Sequence, residues 1–313
     1  MKYVITGGAG FIGSHLAEEL LGQQHEVVVV DDLSFGNRSN LKHIFDRERF
    51  TFVEGSITDR QLLGKAFAGA DGIFHEAAIA SVPRSVADPL ETNEINLSGT
   101  LNVLVAARDA GVKKVVFASS AAVYGNDPAL PKQEEMKTET LSPYAVTKRA
   151  GEYYCSVFSQ LYGVRCTALR YFNVFGPRQD PSSPYSGVIT KFITNTLNNR
   201  PLTIFGDGTQ TRDFVYVKDV VQANVRAMDS EATGIFNVAC GKKINLLELA
   251  EMIREITGIS VPVTFGPPAS GDVHDSLADI GRAETMLGYS PAFTVRSGLE
   301  ATVAWFREGA GRE

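Results

Sequence analysis

The sequence is poor in the features that mark membrane, metal-binding and nucleic-acid-binding proteins. Its 313 residues include only three Cys and five His, and neither type is spaced as metal ligands or disulfide partners are. Lys and Arg number 30 against 36 Asp and Glu, a net charge of −6 that disfavours a nucleic-acid partner. No apolar run approaches the ~20 residues that a membrane span needs. Because Met1-Lys2 leads straight into a strand-like segment, we expect no signal peptide and a soluble, cytoplasmic, reduced, metal-free protein.

What the sequence does contain is an alternation of strand-like and helix-like segments. Apolar residues make up 44% of the chain and charged residues 21%, as in ordinary globular proteins. Short apolar runs predict strands buried on both faces at Lys2–Thr6, His25–Val30, Thr51–Val53, Gly72–His75, Lys114–Ala118 and Arg165–Arg170. Helices are predicted between them, at Phe11–Leu21, Arg60–Ala68, Leu90–Ala110 and Tyr144–Leu161. This order is typical of an α/β fold with a doubly wound parallel sheet.

The pattern changes after Asn173. Three prolines and two glycines predict a long irregular loop over Phe175–Gly187. Beyond it we predict two strands, two helices and a proline-rich segment, at Phe214–Val217, Ile235–Val238, Val220–Met228, Leu246–Thr257 and Val261–Ser270. We therefore expect a first domain of residues 1–173, to which pieces near 212–240 return, and a smaller interleaved C-terminal substrate domain of 174–211 and 241–313.

A glycine-rich turn separates the first predicted strand from the first predicted helix. Gly7, Gly10 and Gly13 have the spacing of a dinucleotide-binding turn, in which the pyrophosphate lies on the N-terminus of the helix. Asp31 and Asp32 stand at the end of the second predicted strand. A carboxylate there accepts hydrogen bonds from the adenosine ribose and repels a 2′-phosphate. We therefore predict NAD, rather than NADP, as the cofactor.

A Tyr and a Lys stand four residues apart on a predicted helix. Tyr144 and Lys148 should therefore lie on one face of it, one turn apart. Ser119-Ser120 follows a predicted strand, at the end where open α/β sheets bind ligands. The pKa of a free Tyr is near 10. We expect the Lys148 ammonium and a positive nicotinamide ring to lower the pKa of Tyr144 toward neutrality, which suits an acid/base for hydride chemistry.

These motifs, taken in order, resemble the extended short-chain dehydrogenase/reductase family, whose fold is a Rossmann sheet. Within it, the chain is similar to the nucleotide-sugar epimerases of the UDP-glucose / UDP-N-acetylglucosamine 4-epimerase group. The likeness covers nearly the whole chain. It rests on Gly7–Gly13, Asp31, Asn96, Ser120, Tyr144, Lys148, Arg170–Asn173, Phe175–Pro181, Gly206–Gly208, Arg212–Phe214 and Gly271–Val273.

The resemblance implies a role for each matching position. Catalysis would fall to Tyr144 as acid/base, to Lys148 as the modifier of its pKa, and to Ser120, which orients or shuttles the proton. Glu76–Ala80 would line the nicotinamide side. NAD would be bound by Gly7, Gly10, Phe11, Ile12, Gly13, Asp31, Asp32, Asn37, Ser56, Ile57, Ala77, Ala78, Asn96, Tyr144, Lys148 and Phe172. The UDP-sugar substrate would be bound by Ser120, Asn173, Val188, Leu202, Thr203, Phe205, Arg212, Asp272 and Ser276.

The resemblance also implies a reaction without net oxidation. Tyr144 would take the proton of the sugar 4′-hydroxyl while a hydride passes from C4′ to NAD. The 4-keto sugar would then turn over and receive the hydride on its opposite face. Ser276 occupies a position that walls the sugar beside C2, and a small residue there implies that N-acetylated hexoses also enter. Ala121 and Ala122 replace the acid that related dehydratases and decarboxylases carry, which favours an epimerase.

Two departures from the family pattern and three alternatives stay open. Ser56 stands where the family usually has an Asp at the adenine, and Ala269 stands where it often has an Arg on the pyrophosphate. Loss of that Arg would weaken a charge-assisted contact. Another nucleotide-sugar dehydratase, decarboxylase or reductase is one alternative; a non-catalytic NAD-binding regulator and an interaction protein are the others. The resemblance further implies a homodimer, with the helices near Leu90–Ala110 and Tyr144–Leu161 forming a four-helix interface.

Overall fold

A seven-stranded parallel sheet forms the centre of the protein. The computed structural model describes residues 1–181, 187–267 and 273–309. The sheet has the order β11-β6-β5-β4-β1-β2-β3, and all its neighbouring strands run parallel. Its strands are β1 (Lys2–Thr6), β2 (Glu26–Asp31), β3 (Phe50–Glu54), β4 (Gly72–His75), β5 (Lys114–Ser120), β6 (Arg165–Tyr171) and β11 (Gly234–Val238). The predicted doubly wound Rossmann sheet is confirmed.

Helices cover both faces of this sheet. The helices of the described residues are α1 (Phe11–Gly22), α2 (Arg60–Ala66), α3 (Val82–Ala87), α4 (Pro89–Asn93), α5 (Gly99–Asp109), α6 (Pro143–Leu161), α7 (Val188–Leu197), α8 (Val217–Asp229), α9 (Leu246–Thr257), α10 (Gly281–Leu287) and α11 (Val295–Arg307), of which α7, α9 and α11 pack away from this sheet. One hydrophobic core packs α1 and α8 on one face, and a second packs α2, α5 and α6 on the other. None of the helices within the described ranges is long and apolar enough to cross a bilayer.

The strands and helices predicted before Asn173 are all present, with ends that differ by one or two residues. One exception is the helix predicted over Leu90–Ala110. It is built from α4 and α5 joined by a π-helical turn at Glu94–Ser98. A π turn inserts one extra residue, which turns the buried face of α5 relative to that of α4.

Three short two-stranded sheets lie outside the central one. They pair β7 (Asn173–Phe175) with β10 (Phe214–Tyr216), β9 (Thr211–Arg212) with β12 (Ile244–Asn245), and β8 (Leu202–Phe205) with β13 (Val263–Gly266). β13 lies inside the predicted proline-rich segment Val261–Ser270, for which no strand was predicted. Val263 pairs with Leu202 in a parallel register. The strand begins directly after Pro262, so the missing backbone N–H of that proline costs the pairing nothing.

A third hydrophobic core joins the later parts of the chain. It is built mainly by α7, α9 and α11 with β8 and β10. α9 begins at Asn245, whose side chain accepts from the Glu248 amide while the Glu248 carboxylate accepts from the Asn245 amide. The predicted α9 is therefore confirmed at both ends. The division of the chain into the two domains predicted above stays a prediction.

The strand order places a crevice beside β1. Strands on one side of β1 are reached by crossovers on one face of the sheet, and β4 by a crossover on the other. The loops that leave β1 and β4 therefore diverge, which opens a cleft at the carboxyl ends of the strands. The predicted nucleotide and catalytic residues lie around this end of the sheet.

Candidate active site

The glycine-rich turn after β1 is closely packed at two positions. Gly7 has a φ of +72°, and a Cβ on it would lie 2.6 Å from the amide nitrogen of Ala77. A Cβ on Gly13 would lie 2.3 Å from the carbonyl oxygen of Gly7. Gly10 precedes α1, and no side chain caps the first turn of that helix. The amides at this end of α1 are therefore free of side-chain caps, which fits the pyrophosphate of a dinucleotide.

Substitution at Gly13 tests this packing directly. We expect Gly13→Ala to lower the free energy of unfolding by about 1–3 kcal/mol, because the new methyl group forces α1 away from the turn. NAD affinity should fall with it. Gly22→Ala is the matched control on the same helix, since a Cβ there meets no atom within 4 Å. Urea unfolding and NAD titration of both variants measure the effect; equal behaviour of the two would contradict the role assigned to Gly13.

Asp31 closes the cleft at the end of β2. Its Oδ2 accepts from the Ala9 amide at 2.9 Å and its Oδ1 from the Leu33 amide at 2.8 Å. Burial raises the pKa of Asp31, and the two amide hydrogen bonds oppose that rise. The carboxylate thus links the glycine-rich turn to the loop after β2. Its place at the rim of the cleft fits the predicted contact with an adenosine ribose.

The cleft brings together most of the predicted NAD-binding residues. Its walls include Gly7, Gly10, Phe11, Ile12, Gly13, Asp31, Asp32, Ile57, Ala77 and Ala78, each of which was predicted. Residues that the prediction did not assign are Val30, Ser34, Phe35, Gly36, Gly55 and Ile95. Their signal was weak, because they are short loop residues and aliphatic side chains without chemistry of their own.

Other predicted cofactor residues lie behind or beside these walls. Asn37 caps a short 3₁₀ turn through an oxygen that accepts from the Ser39 amide, and Ser56 accepts from Thr58. The side-chain amide of Asn96 is buried and makes two hydrogen bonds with the backbone of Ile79: its Oδ1 accepts from the amide at 2.8 Å and its Nδ2 donates to the carbonyl at 3.2 Å. Asn96 therefore shapes the wall. Phe172 is also buried, with its ring 6.2 Å from that of Tyr124. Their roles in NAD binding stay predictions.

The predicted catalytic side chains converge where β5 ends and α6 begins. The Ser142 hydroxyl caps α6, which places Tyr144 in the first turn of the helix. Ser120, the last residue of β5, lies close enough to the Tyr144 hydroxyl to lower its pKa. One turn along, Lys148 is buried and its Nζ donates to the Ala118 carbonyl at 2.7 Å. The structure thus brings Ser120, Tyr144 and Lys148 together.

The pKa values of Tyr144 and Lys148 are both shifted in this cluster. Burial raises the pKa of Tyr144 above 10, the neighbouring Ser120 hydroxyl opposes the rise, and the charge of Glu76 adds to it. Burial lowers the pKa of Lys148 to about 8. In the polypeptide by itself the net shift of the Tyr144 pKa is upward, so the expected lowering by Lys148 together with a positive nicotinamide ring stays a prediction. The ammonium is directed at a carbonyl of β5 and lies 5.8 Å from the centre of the Tyr144 ring.

A buried ion pair fixes α6 against the sheet, and sequence reasoning missed it. The Glu152 carboxylate accepts hydrogen bonds from Arg170 Nε at 2.8 Å and Nη2 at 2.9 Å, and neither side chain is exposed. Ser119 donates to the same carboxylate at 2.6 Å. Glu152 lies one turn after Lys148 on the same buried face, which was the available signal. The network therefore ties the helix that carries Tyr144 to both β5 and β6.

Several predicted substrate residues meet around β9. The Ser276 amide donates to the Thr211 carbonyl at 3.1 Å, and Arg212 Nη1 donates to the carbonyls of Thr211 and His274. Asp213 was not predicted, yet its carboxylate accepts from the amides of Cys240 and Ala278 and so fixes this segment. Burial raises the pKa of Asp213 to about 6.

The remaining predicted substrate residues are spread along β7, α7 and β8. Asn173 donates to the Asp213 carbonyl at 3.3 Å, and Val188 begins α7. Thr203 and Phe205 are exposed, whereas the Leu202 side chain is fully buried in the third core and offers a ligand only its backbone. Asp272 and the Ala269 departure lie outside the described residues. Substrate binding by this set stays a prediction.

Comparison with known proteins assigns the family. A model of the NAD dependent epimerase/dehydratase family matches residues 3–239. The chain belongs to this family. It is 43% identical to the UDP-glucose 4-epimerase of Mycolicibacterium smegmatis over 98% of its length and 99% of that protein. The predicted family, enzyme class and NAD cofactor are thereby confirmed.

Solved structures of this epimerase/dehydratase family superpose closely. The UDP-N-acetylglucosamine 4-epimerase of Methanobrevibacter ruminantium, in complex with UDP-N-acetylmuramic acid, matches with a TM-score of 0.95 and 40% identity over 98% of both chains. The UDP-glucose 4-epimerase of Thermus thermophilus, in complex with NAD, matches with a TM-score of 0.89 and 38% identity over 98% of this chain and 99% of that one.

Proposed function

We propose that this enzyme inverts C4 of UDP-hexoses, interconverting UDP-glucose with UDP-galactose and UDP-GlcNAc with UDP-GalNAc. The observation that carries the proposal is the clustering of Ser120, Tyr144 and Lys148 where β5 ends and α6 begins, next to Glu76 in the wall of a cleft shaped for a dinucleotide. Several relatives that match nearly the whole chain support it, since they are named as 4-epimerases of UDP-glucose or of UDP-N-acetylglucosamine.

Each catalytic side chain has a defined part in the proposed reaction. When bound, NAD would accept the hydride from C4′ of the sugar and would later return it. Tyr144 holds the proton that leaves the 4′-hydroxyl, and the neighbouring Ser120 hydroxyl would orient that proton. Since the protein alone raises the pKa of Tyr144, the cationic ring of NAD must supply the charge that favours the phenolate. Lys148 would add a second positive charge, with its Nζ 5.8 Å from the centre of the Tyr144 ring.

Inversion also requires the sugar to turn while the nucleotide stays in place. Arg212 is a suitable diphosphate ligand, and its segment is fixed by β9, β12 and the amides held by Asp213. The hexose itself would meet small groups, among them Ser276. The pocket thus combines a rigid nucleotide end with a permissive sugar end, as the reaction demands.

The turn after Ser120 argues against elimination and decarboxylation. Ala121 and Ala122 begin a 3₁₀ turn, and the amide of Ala122 donates to the Ser120 hydroxyl at 3.2 Å. This turn therefore places two methyl groups where an acid for chemistry at C5 or C6 would be needed. An alanine side chain transfers no proton, so the proposal favours epimerisation.

The test is proton NMR of the purified protein with UDP-galactose and, separately, with UDP-GalNAc. We expect the anomeric signals of UDP-glucose and UDP-GlcNAc to grow without added reductant. Ser276→Tyr should stop the N-acetylated reaction and spare the other, because a large side chain excludes the acetamido group. No change in either sugar by a protein that binds NAD would refute the proposed function.

We further propose that the enzyme is a homodimer assembled through α4–α5 and α6. Tyr153, Val157 and Leu161 follow one face of α6 and are 57%, 41% and 70% exposed, and Leu90 on α4 is 82% exposed. An apolar face of this kind is typical of a subunit interface.

A charge on that face should break the dimer. We expect Val157→Lys to sediment as a monomer at micromolar concentration, because the interface would bury an unpaired ammonium. Met286→Lys is the control, since Met286 is also exposed, at 48%, but lies on α10. Sedimentation velocity distinguishes the species. A dimeric Val157→Lys variant, or a monomeric wild type, would refute the proposed interface.

A further inference from the structure

Glu76 is an ionisable residue in the wall of the cleft that the proposed reaction does not use. It follows β4 directly, between the buried His75 and the small residues Ala77 and Ala78. Its neighbourhood is the catalytic end of the cleft, since its charge acts on both Tyr144 and Lys148.

A chain of hydrogen bonds holds this carboxyl from behind. The Tyr171 hydroxyl donates to Glu76 Oε1 at 2.8 Å. Asn224 Nδ2 donates in turn to the Tyr171 hydroxyl at 2.7 Å, so the phenol proton is left for Glu76. The pKa of Tyr171 is raised well above 10 by burial, and the phenol therefore stays a donor. Glu76 therefore accepts a hydrogen bond from Tyr171, as a carboxylate does.

The other titratable groups described next to Glu76 are either neutral or positively charged. His75 is neutral, because burial lowers its pKa to about 3, and its ring nitrogens bond Thr6 and Thr100. Tyr144 and Tyr171 are protonated phenols. Lys148 is the cation acting on Glu76, and it lowers the pKa of the carboxyl. Burial has the larger effect and raises the pKa of Glu76 to about 7.

We propose that Glu76 is a positioning residue: its carboxylate, held by Tyr171 at the catalytic end of the cleft, makes the enzyme bind the oxidised nicotinamide nucleotide more tightly than the reduced one. The inference rests on the proposed function, which assigns this end of the cleft to the nicotinamide. The oxidised ring carries a positive charge and the reduced ring carries none, so a nearby carboxylate stabilises only the former. Such a preference favours return of the hydride to the sugar.

The decisive quantity is the ratio of the dissociation constants for NADH and NAD⁺. At pH 8 we expect Glu76→Gln to lower Kd(NADH)/Kd(NAD⁺) by about tenfold, which raises the potential of the bound couple by about 30 mV. Tyr171→Phe should shift the ratio in the same direction by less, because it removes one hydrogen bond to the carboxylate. Asp32→Asn is the control: it removes a charge from the same cleft at the adenosine end, which both nucleotides share, and should leave the ratio unchanged.

Titration of the full-length protein, freed of bound nucleotide, with NAD⁺ and with NADH gives both constants. An unchanged ratio in Glu76→Gln would overturn the inference while leaving the proposed function intact. Should that variant fail to fold, the wild type decides. Its ratio should fall between pH 8 and pH 6 as Glu76 takes up a proton, and a constant ratio would overturn the inference. A wild-type protein that binds neither nucleotide would overturn the proposed function and this inference together.

Discussion

Tyr144→Phe should lower kcat for epimerisation by about 10²–10⁴-fold while the protein stays folded. The substitution removes one hydroxyl and with it the partner of Ser120. NAD should still bind, because the substitution removes only one of the proposed contacts and leaves the glycine-rich turn and Asp31 unchanged. The sugar nucleotide should also still bind, since its proposed contacts lie around Arg212 and Ser276. The loss is therefore expected in kcat rather than in KM.

A second tyrosine, at the end of the same helix, provides the control for this prediction. Tyr162 is 46% exposed at the C-terminal end of α6, so Tyr162→Phe should leave kcat unchanged. Initial rates for both variants, with NAD content measured on the same samples, separate chemistry from cofactor loss. Near wild-type turnover by Tyr144→Phe would show that another group moves the proton.

Glu152→Ala is expected to have the largest effect on stability, a loss of about 3–5 kcal/mol in the free energy of unfolding. The substitution would leave the guanidinium of Arg170 buried without its carboxylate, and Ser119 without its acceptor. Glu152 accepts from three side chains, and these hydrogen bonds outweigh burial and lower its pKa. The charged pair is thus favourable only as a unit.

Chemical denaturation measures this loss, with an exposed ion pair as the control. Glu255 pairs with Arg296 at the surface, where both side chains are about half exposed. Glu255→Ala should therefore change the free energy of unfolding by less than about 1 kcal/mol. Similar losses for the two variants would contradict the account of the buried pair.

The sequence was sufficient to predict the central sheet, because most of its strands are buried on both faces and read as unbroken apolar runs, the edge strand β3 being the exception. Lys2–Thr6 and Gly72–His75 are correct to the residue. α9 was equally clear, since Asn245 and Glu248 form a capping box that can be recognised in the sequence. Where a segment's own residues determine its structure, the prediction succeeded.

Elements that depend on distant partners were missed. β8 and β13 are four residues long, and each exists as a strand only because the other lies beside it. α7 follows Gly187 with no side-chain cap, so nothing local marks its start. The proposed catalytic residues were chosen from their spacing, but that spacing does not predict the environment of Tyr144. Its pKa depends on burial and on Glu76, and neither is visible in a Tyr-Lys spacing.

Deuterium tracing tests the central claim most directly. UDP-galactose labelled with deuterium at C4 of the sugar would be incubated with the protein in ordinary water, and the UDP-glucose formed would be examined by NMR and mass spectrometry. The account predicts that the product keeps its deuterium at C4, because the hydride leaves and returns within one pocket, and that no reduced nucleotide accumulates. Replacement of the deuterium by solvent hydrogen, or steady formation of NADH, would contradict it.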